Sequence, residues 1–210
     1  KILDDGGIIV FPTETVYGLG ANAEDDKAIL KIFNIKKRPK FNPLICHFKN
    51  IKSVKKHALF TNNAKKLAEK FWPGPLTIIL KKRNDSTISN IASSGLKTIA
   101  CRIPSNKIIK NILKNFNGIV AAPSANISSK LSSTNKKHVV DNFGNKIYII
   151  DGGKTVYGIE STVVDLTGKI PKILRLGAID KEEIKKILPK LSFNINLLKK
   201  VTSPGQLKKH

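Results

Sequence analysis

The stretch FPTETVYGLG, Phe11–Gly20, raises the question of why a strand should end among hydroxyl groups and glycines. It completes the apolar run Ile8–Phe11, which stops at a proline and predicts a short buried strand. Hydroxyl and acidic residues and two spaced glycines follow, and glycine lets a ligand approach the backbone closely. In open α/β sheets, ligands bind where strands end. Taken alone, the stretch is equally compatible with an ordinary strand-to-helix connection capped by a threonine.

Short apolar runs alternate with helical patterns along the rest of the chain. Strands are predicted at residues 8–11, 44–48, 76–80, 98–103, 119–122, 147–151, 162–166 and 173–176, and helices at 25–36, 62–71, 105–116, 135–143 and 181–188. This alternation predicts one α/β domain with a twisted, mixed or parallel sheet flanked by helices. Thr61 and Ser105 are predicted N-caps. The pattern fades after Leu188, so residues 1–188 are predicted to form the domain and 189–210 a linker or tail.

The composition, 40% hydrophobic and 25% charged, is typical of a soluble globular protein. No apolar run approaches the ~20 residues of a membrane helix, and the start KILDDGGIIV is acidic where a signal peptide is basic. We therefore expect a cytoplasmic protein with no membrane contact. The two cysteines and four histidines lack the spacing of metal ligands, which predicts no zinc site.

The formal net charge is +23, which favours phosphate-bearing partners such as nucleotides and RNA. Evenly spread lysines are also typical of a solvated surface, so the charge alone indicates no more than non-specific RNA affinity. Arginine is more informative, because a guanidinium can clamp a carboxylate or phosphate with two hydrogen bonds. The chain has only four arginines: Arg38, Arg83, Arg102 and Arg175.

Two further clusters combine cations with strand ends. In IKKRPKFNPLICHF, Lys36 and Arg38 could bracket a polyphosphate, or could simply complement the dipole of a helix C-terminus. In TIACRIPSN, Arg102 lies within an apolar strand pattern and needs a partner, because burying its charge unpaired is costly. That partner could be a substrate carboxylate or a structural acid.

The last two clusters are rich in hydroxyls and glycines. In AAPSANISSKLSST, Ser124, Asn126 and Ser132 could hydrogen-bond a nucleotide, although serine-rich loops are usually only loops. DGGKTVYGIESTVVDLTG contains GGKT, but Tyr148 stands where a P-loop needs glycine. The chain also contains no GxGxxG after a strand and no GxSxG elbow.

In order along the chain, seven stretches resemble the YrdC-like domain of threonylcarbamoyl-AMP synthases. They are PTETVYGLG, IKKRPKFNPL, FWPGPLTIIL, RIP, APSAN, GIESTVVDL and ILRLGAI, and they span Gly7 to Ile179. The terminal SPGQLKKH is similar to the start of the linker that precedes a second domain in longer synthases. The resemblance implies a single YrdC-like domain with an open concave basic cavity, from the longer two-domain form.

The resemblance also implies a reaction. A nucleotidyltransferase would convert L-threonine, bicarbonate and ATP into threonylcarbamoyl-AMP and pyrophosphate, for the modification of position 37 in tRNAs that read ANN codons. Downstream threonylcarbamoyl-transfer proteins would use the product. Mg²⁺ would be carried by the ATP phosphates, with no metal ligand from the protein.

Matching the motifs residue by residue implies two sets of contacts. The residues implied to bind threonine are Thr15, His47, Arg102, Ala122, Ser124 and Ser161. Those implied to bind ATP are Lys36, Arg38, Asn42, Thr98, Ser124, Asn126, Ser132 and Arg175. The chain departs from the family pattern at Lys37, at Asn106 and in the loop near Ser132, where the family usually has other residues.

Two alternatives to the synthase remain. One is a non-catalytic module that binds double-stranded RNA or tRNA; it explains the charge, but the chain has no RRM-like aromatic pattern. The other is the related domain of a hydrogenase-maturation carbamoyltransferase, which the linker-like ending disfavours.

Overall fold

The computed structural model describes residues 1–193, which form six helices and one ten-stranded sheet. The strands are β1 Ile9–Pro12, β2 Tyr17–Asn22, β3 Ile45–His47, β4 Leu76–Lys81, β5 Thr98–Arg102, β6 Val120–Ala122, β7 Tyr148–Ile149, β8 Thr162–Asp165, β9 Lys172–Arg175 and β10 Ser192–Phe193. The helices are α1 Asp26–Lys36, α2 Ile51–His57, α3 Asn62–Phe71, α4 Lys107–Phe116, α5 Lys136–Phe143 and α6 Lys181–Ile187. None of these six helices combines the length and apolar character needed to cross a bilayer.

The strand order is β10-β9-β8-β4-β5-β3-β6-β2-β1-β7. Neighbouring strands pair in both senses: β3 runs parallel to β5 and β4 to β8, whereas β1–β2, β2–β6 and β4–β5 are antiparallel. Helices cover both faces, because α1, α3, α5 and α6 contribute to the main core and α4 packs on a second cluster across the sheet. The predicted α/β fold with a mixed sheet flanked by helices is therefore confirmed.

The stretch Phe11–Gly20 differs from its prediction as a strand followed by a loop. It forms a tight hairpin in which β1 pairs with β2, from Ile9 opposite Gly20 to Pro12 opposite Tyr17. The glycines are strand positions here. A Cβ at Gly20 would lie 2.5 Å from the Phe11 ring, so the glycine lets that ring pack across β2.

The helix caps were predicted with mixed success. Thr61 caps α3 as predicted, and its hydroxyl accepts from the Ala64 N–H at 3.2 Å. The prediction for α4 was wrong by one residue: Asn106, not Ser105, is the N-cap, and its side chain accepts from the Ile108 N–H at 2.8 Å.

Two elements besides β2 were not predicted. Helix α2 is short and fully buries only Val54, so its sequence lacks an apolar face that a periodicity search could detect. Strand β10 pairs in parallel with β9, so the sheet continues past the predicted boundary at 188. Most of the predicted tail, residues 194–210, lies outside the described residues, and the division into domain and linker stays a prediction.

The sheet brings the ends of β3 and β5 together. These strands run in parallel, and their last residues, His47 and Arg102, are direct partners. On the other side of β3, His47 is opposite Val120 of β6. Both polar side chains therefore lie at one edge of the sheet, beside the turn of the β1–β2 hairpin.

Candidate active site

A cavity that is partly open to solvent lies at this edge. Its wall combines hydroxyls, a histidine, three arginines, a carboxylate and a few apolar groups. The lining residues are Thr13, Thr15, Val16, Tyr17, Gly18, Arg38, Ile45, His47, Arg102, Ala122, Pro123, Ser124, Glu160, Ser161 and Arg175.

All six residues predicted to bind threonine line this cavity. Of the eight predicted to bind ATP, three line it: Arg38, Ser124 and Arg175. We call the buried part formed by Thr13, Thr15, His47 and Arg102 the inner end, and the more accessible part formed by Arg38, Glu160 and Arg175 the outer end.

Arg102 at the inner end is fixed by a buried carboxylate. Its Nη2 donates to Glu14 Oε1 at 2.7 Å and to Thr15 Oγ1 at 3.0 Å, and its Nε donates to the Gly74 carbonyl at 3.4 Å. The side chains of Arg102 and Glu14 are 4% and 5% exposed. The structural partner that Arg102 requires is thus Glu14, whereas Nη1 makes no hydrogen bond within residues 1–193.

Glu14 is held on its other oxygen as well. Oε2 accepts from the backbone N–H groups of Ser105 and Asn106, at 3.1 and 3.3 Å. Burial alone would raise the pKa of the Glu14 carboxyl, but the charge of Arg102 and these hydrogen bonds outweigh it, so the pKa lies below its usual value. Glu14 is therefore a carboxylate at neutral pH.

His47 contributes a neutral ring to the inner end. Its Nδ1 lies 3.3 Å from the Val120 carbonyl oxygen, and its ring meets the Phe11 ring edge to face. Burial, together with the charge of Arg102, lowers the pKa of His47 to about 3. Because a carbonyl can only accept, Nδ1 carries the hydrogen and Nε2 remains an acceptor.

The hydroxyls of Thr13 and Thr15 form a directed chain. Thr13 Oγ1 donates to the Val16 carbonyl at 2.6 Å, so in its 2.8 Å contact with Thr15 Oγ1 the donor is Thr15. Thr15 Oγ1 in turn accepts from Arg102. The sequence offers both threonines as donors and acceptors, but only Thr15 was assigned to threonine binding; the Thr13 hydroxyl fixes the turn by also accepting from the Thr15 and Val16 N–H groups.

The segment 152–160 crosses over the β1–β2 turn and closes one side of the cavity. The Tyr157 and Gly158 N–H groups donate to the carbonyls of Glu14 and Thr15, at 2.9 and 3.1 Å. Tyr17, which sequence reasoning did not assign to the site, donates its hydroxyl to the Gly153 carbonyl at 2.7 Å. These bonds place Glu160 at the cavity wall.

The outer end is built from two arginines and a glutamate. Arg38 donates to the carbonyls of Asn42 and Pro43, both at 2.9 Å, and burial lowers its pKa to about 10, so that it stays charged. Arg175 donates to the carbonyl and the hydroxyl of Ser161, both at 3.0 Å, and its Nη1 is ion-paired with Glu160. Glu160 was missed by sequence reasoning.

Lys36 lies behind the cavity wall. Its side chain is 1% exposed, and its Nζ donates to the carbonyl of Ser124 at 2.6 Å and to that of Asn126. The Ser128 N–H donates to the carbonyl of Lys36 itself at 2.9 Å. Burial, followed by the charge of Arg38, lowers the pKa of Lys36 to about 7.

The remaining residues predicted to bind ATP also lie outside the cavity lining. Both polar atoms of the buried Asn42 side chain find no partner among residues 1–193. Asn126 donates to the carbonyls of Ile127 and Lys130, whereas its Oδ1 has no partner among the same residues. Thr98 begins β5, at the opposite end of that strand from Arg102.

Ser132 connects the cavity to its surroundings. Its hydroxyl donates to Glu160 Oε1 at 2.9 Å, and it lines an open groove that shares Glu160 and Arg175 with the cavity. Residues 1–193 contain no group of three or more His, Cys, Asp or Glu side chains that could hold a metal ion.

A family model, Sua5_yciO_yrdC, described as telomere recombination, matches residues 1–177. The chain belongs to the Sua5/YciO/YrdC family. Within this family, it is 45% identical to the threonylcarbamoyl-AMP synthase of Pyrococcus abyssi over 186 residues, covering 88% of this chain and 54% of the relative. It is 39% identical to that of Bacillus subtilis over 214 residues, covering 100% of this chain and 62% of the relative.

A crystal structure of P. abyssi Sua5 complexed with L-threonine superposes on the chain with a TM-score of 0.95 and 40% sequence identity. The alignment covers 100% of this chain and 63% of that one. The chain thus spans between one half and two thirds of these relatives. The predicted resemblance to the YrdC-like domain of threonylcarbamoyl-AMP synthases is confirmed.

Proposed function

We propose that the chain is the catalytic domain of an L-threonylcarbamoyladenylate synthase. This nucleotidyltransferase makes threonylcarbamoyl-AMP and pyrophosphate from L-threonine, bicarbonate and ATP. One observation carries the proposal: a single cavity joins a small inner end, lined by hydroxyls, a neutral histidine and an arginine whose charge is balanced by Glu14, to an outer end lined by two further arginines. The relatives of P. abyssi and B. subtilis named as threonylcarbamoyl-AMP synthases support it.

The inner end is proposed to hold threonine. Arg102 Nη1 would donate to the carboxylate, and Thr15 and His47 would accept from the amine or the hydroxyl. The other proposed contacts are Ala122, Ser124 and Ser161, which line the same cavity. The similar fold of P. abyssi Sua5, solved with L-threonine, supports an amino-acid site here.

The outer end is proposed to hold ATP. Arg38 and Arg175 would bind the phosphates as charged donors, and Lys36, whose pKa is about 7, would add positive charge from behind the wall in its protonated form. Asn42, Thr98, Ser124, Asn126 and Ser132 are assigned to the nucleotide by resemblance to the family. Mg²⁺ would arrive with the ATP phosphates; Glu160, which lines the cavity, and Glu14, which lies behind Arg102, are both paired with arginines.

The chemistry needs no covalent intermediate with the protein. The amine of threonine captures carbon dioxide with loss of a proton, or bicarbonate with loss of water, and becomes a carbamate. A carbamate oxygen then attacks the α-phosphorus of ATP, the bond from the α-phosphorus to the bridging oxygen breaks, and pyrophosphate leaves. The chain would hold the two reactants together and stabilise the charge that develops on the phosphates. The product would pass, in the cytoplasm, to threonylcarbamoyl-transfer proteins that modify position 37 of tRNAs reading ANN codons.

The net charge of +23 supports a second candidate, a non-catalytic module that binds tRNA or double-stranded RNA. This candidate predicts salt-sensitive RNA binding without turnover. The two candidates therefore differ in one reaction that is simple to measure.

The test is pyrophosphate release from ATP, with threonine and bicarbonate each omitted in turn. The synthase predicts release only when both are present. If the chain releases none, the assay is repeated with a protein extended beyond His210. Absence of release from the extended protein as well would contradict the enzyme and favour the RNA-binding module.

A further inference from the structure

We propose that Glu14 is a positioning and specificity residue: it holds Arg102 with one guanidinium nitrogen toward the cavity and cancels its charge. The inner end would thereby select a zwitterion over a simple anion. This inference rests on the proposed function, because it concerns the amino-acid site of that reaction.

The positioning follows from the contacts on both sides of the carboxylate. Glu14 does not line the cavity. Its contact with a cavity arginine is the hydrogen bond and ion pair with Arg102. Its Oε1 takes Arg102 Nη2 at 2.7 Å, and its Oε2 is fixed by two backbone N–H groups at the start of α4. With Nη2 and Nε engaged, Nη1 is the guanidinium nitrogen left to a carboxylate in the cavity.

The selectivity follows from the sum of charges at the inner end. Arg102 and Glu14 contribute one charge of each sign, and Thr13 and Thr15 contribute none. His47 is also uncharged, since burial and Arg102 hold its pKa far below neutral. At the outer end, Glu160 offsets Arg175 but leaves the charge of Arg38 in surplus.

A net-neutral site bearing one free donor suits a ligand with one negative and one positive group. L-Threonine at neutral pH is such a zwitterion. Its deaminated analogue 3-hydroxybutanoate has the same carboxylate and hydroxyl but is an anion. In a buried site, an uncancelled arginine would favour the anion, because charges interact more strongly there than in water.

The experiment is calorimetric binding of both compounds to the folded protein, expressed as the ratio of their dissociation constants. Glu14→Gln keeps the shape and removes the charge, and should shift the ratio at least tenfold toward 3-hydroxybutanoate. Glu14→Asp keeps the charge and displaces it, so both affinities should fall and the ratio should stay near the wild-type value. The matched control is Glu69→Gln, an exposed glutamate on α3, which should match the wild type.

The outcomes separate this proposal from the proposed function. Wild-type protein that does not bind threonine would contradict the function itself. Wild-type protein that binds threonine, together with a Glu14→Gln ratio equal to the wild-type ratio, would overturn only the role of Glu14.

If Glu14→Gln does not fold, the wild type and Glu14→Asp provide the second measurement. Both keep the carboxylate that cancels the charge of Arg102, so both should bind threonine at least tenfold more tightly than 3-hydroxybutanoate. Equal affinities for the two compounds in either protein would overturn the proposal.

Discussion

Two glutamate–arginine pairs hold the arginines at the two ends of the cavity, and they differ in their surroundings. Glu14 and Arg102 at the inner end are 5% and 4% exposed, whereas Glu160 and Arg175 at the outer end are 19% and 14% exposed. Glu14 lies behind its arginine and is held by backbone N–H groups; Glu160 lies in the cavity wall and accepts a serine hydroxyl.

The difference shows how the same pair of residues can serve two purposes. A charge left unpaired in the interior costs about 3–5 kcal/mol, whereas a partly exposed pair is worth about 1 kcal/mol or less. Neither member of the inner pair can therefore be removed alone without a large loss of stability. The outer pair can exchange partners with a ligand at little cost to stability.

The largest effect is expected from Arg102→Ala. It removes the proposed carboxylate donor and leaves Glu14 buried without its cation, so turnover should fall at least ~100-fold and the free energy of unfolding by about 3–5 kcal/mol. Pyrophosphate release and urea denaturation measure the two losses.

The matched control is the double variant Glu14→Gln/Arg102→Met. Because neither charge remains, it should recover most of the stability while turnover stays lost. Equal destabilisation of the single and double variants would mean that the inner pair does not act as a unit.

A smaller effect is expected from Arg175→Ala. Water can reach Glu160, so the free energy of unfolding should fall by about 1 kcal/mol or less. ATP binding should weaken, so that the KM for ATP rises roughly tenfold. A loss of stability as large as that of Arg102→Ala would remove the distinction between the two pairs.

Lys36 extends the comparison to a buried cation whose hydrogen bonds go to carbonyls. Its pKa is about 7 when folded, against the ordinary 10.5. Between these values the unfolded chain binds more protons, so stability should rise with pH, by up to about 1.4 kcal/mol per unit. The free energy of unfolding, measured by urea denaturation from pH 7 to 9, should rise with pH in the wild type but not in Lys36→Met. Parallel pH dependences in the two proteins would contradict this prediction.

The smallest effect is expected from Ser132→Ala, which removes the hydroxyl that donates a hydrogen bond to Glu160. The free energy of unfolding should change by about 1 kcal/mol or less. The KM for ATP should change only a few-fold, since the Glu160–Arg175 pair remains. A change larger than that of Arg175→Ala would show that Ser132 contacts the nucleotide more strongly than the arginine does.

Much of the fold could be predicted from local pattern, because strands such as β4 and β5 are apolar runs with clear ends. The β1–β2 hairpin could not, because Gly18 and Gly20 normally indicate a loop. Their presence in β2 depends on the Phe11 ring, a contact made only in the folded hairpin.

Site residues that belong to sequence motifs could be predicted. The partners of the arginines could not, because those pairs form only when distant segments come together in the fold. The sequence showed that Arg102 needs a partner, but Glu14 lies 88 residues away and reaches it through the sheet. Glu160 was missed for the same reason, since its role depends on Arg175 at the end of another strand. The burial of Lys36 behind the wall likewise depends on the loop that packs over it.

The most direct test of the division between an inner amino-acid end and an outer nucleotide end is equilibrium binding of L-threonine and a non-hydrolysable ATP analogue. The variants are Glu14→Gln/Arg102→Met and Arg38→Ala. We predict that the first loses threonine and retains the ATP analogue, and that the second does the reverse. Equal loss of both ligands in both variants, or the opposite pattern, would contradict the account.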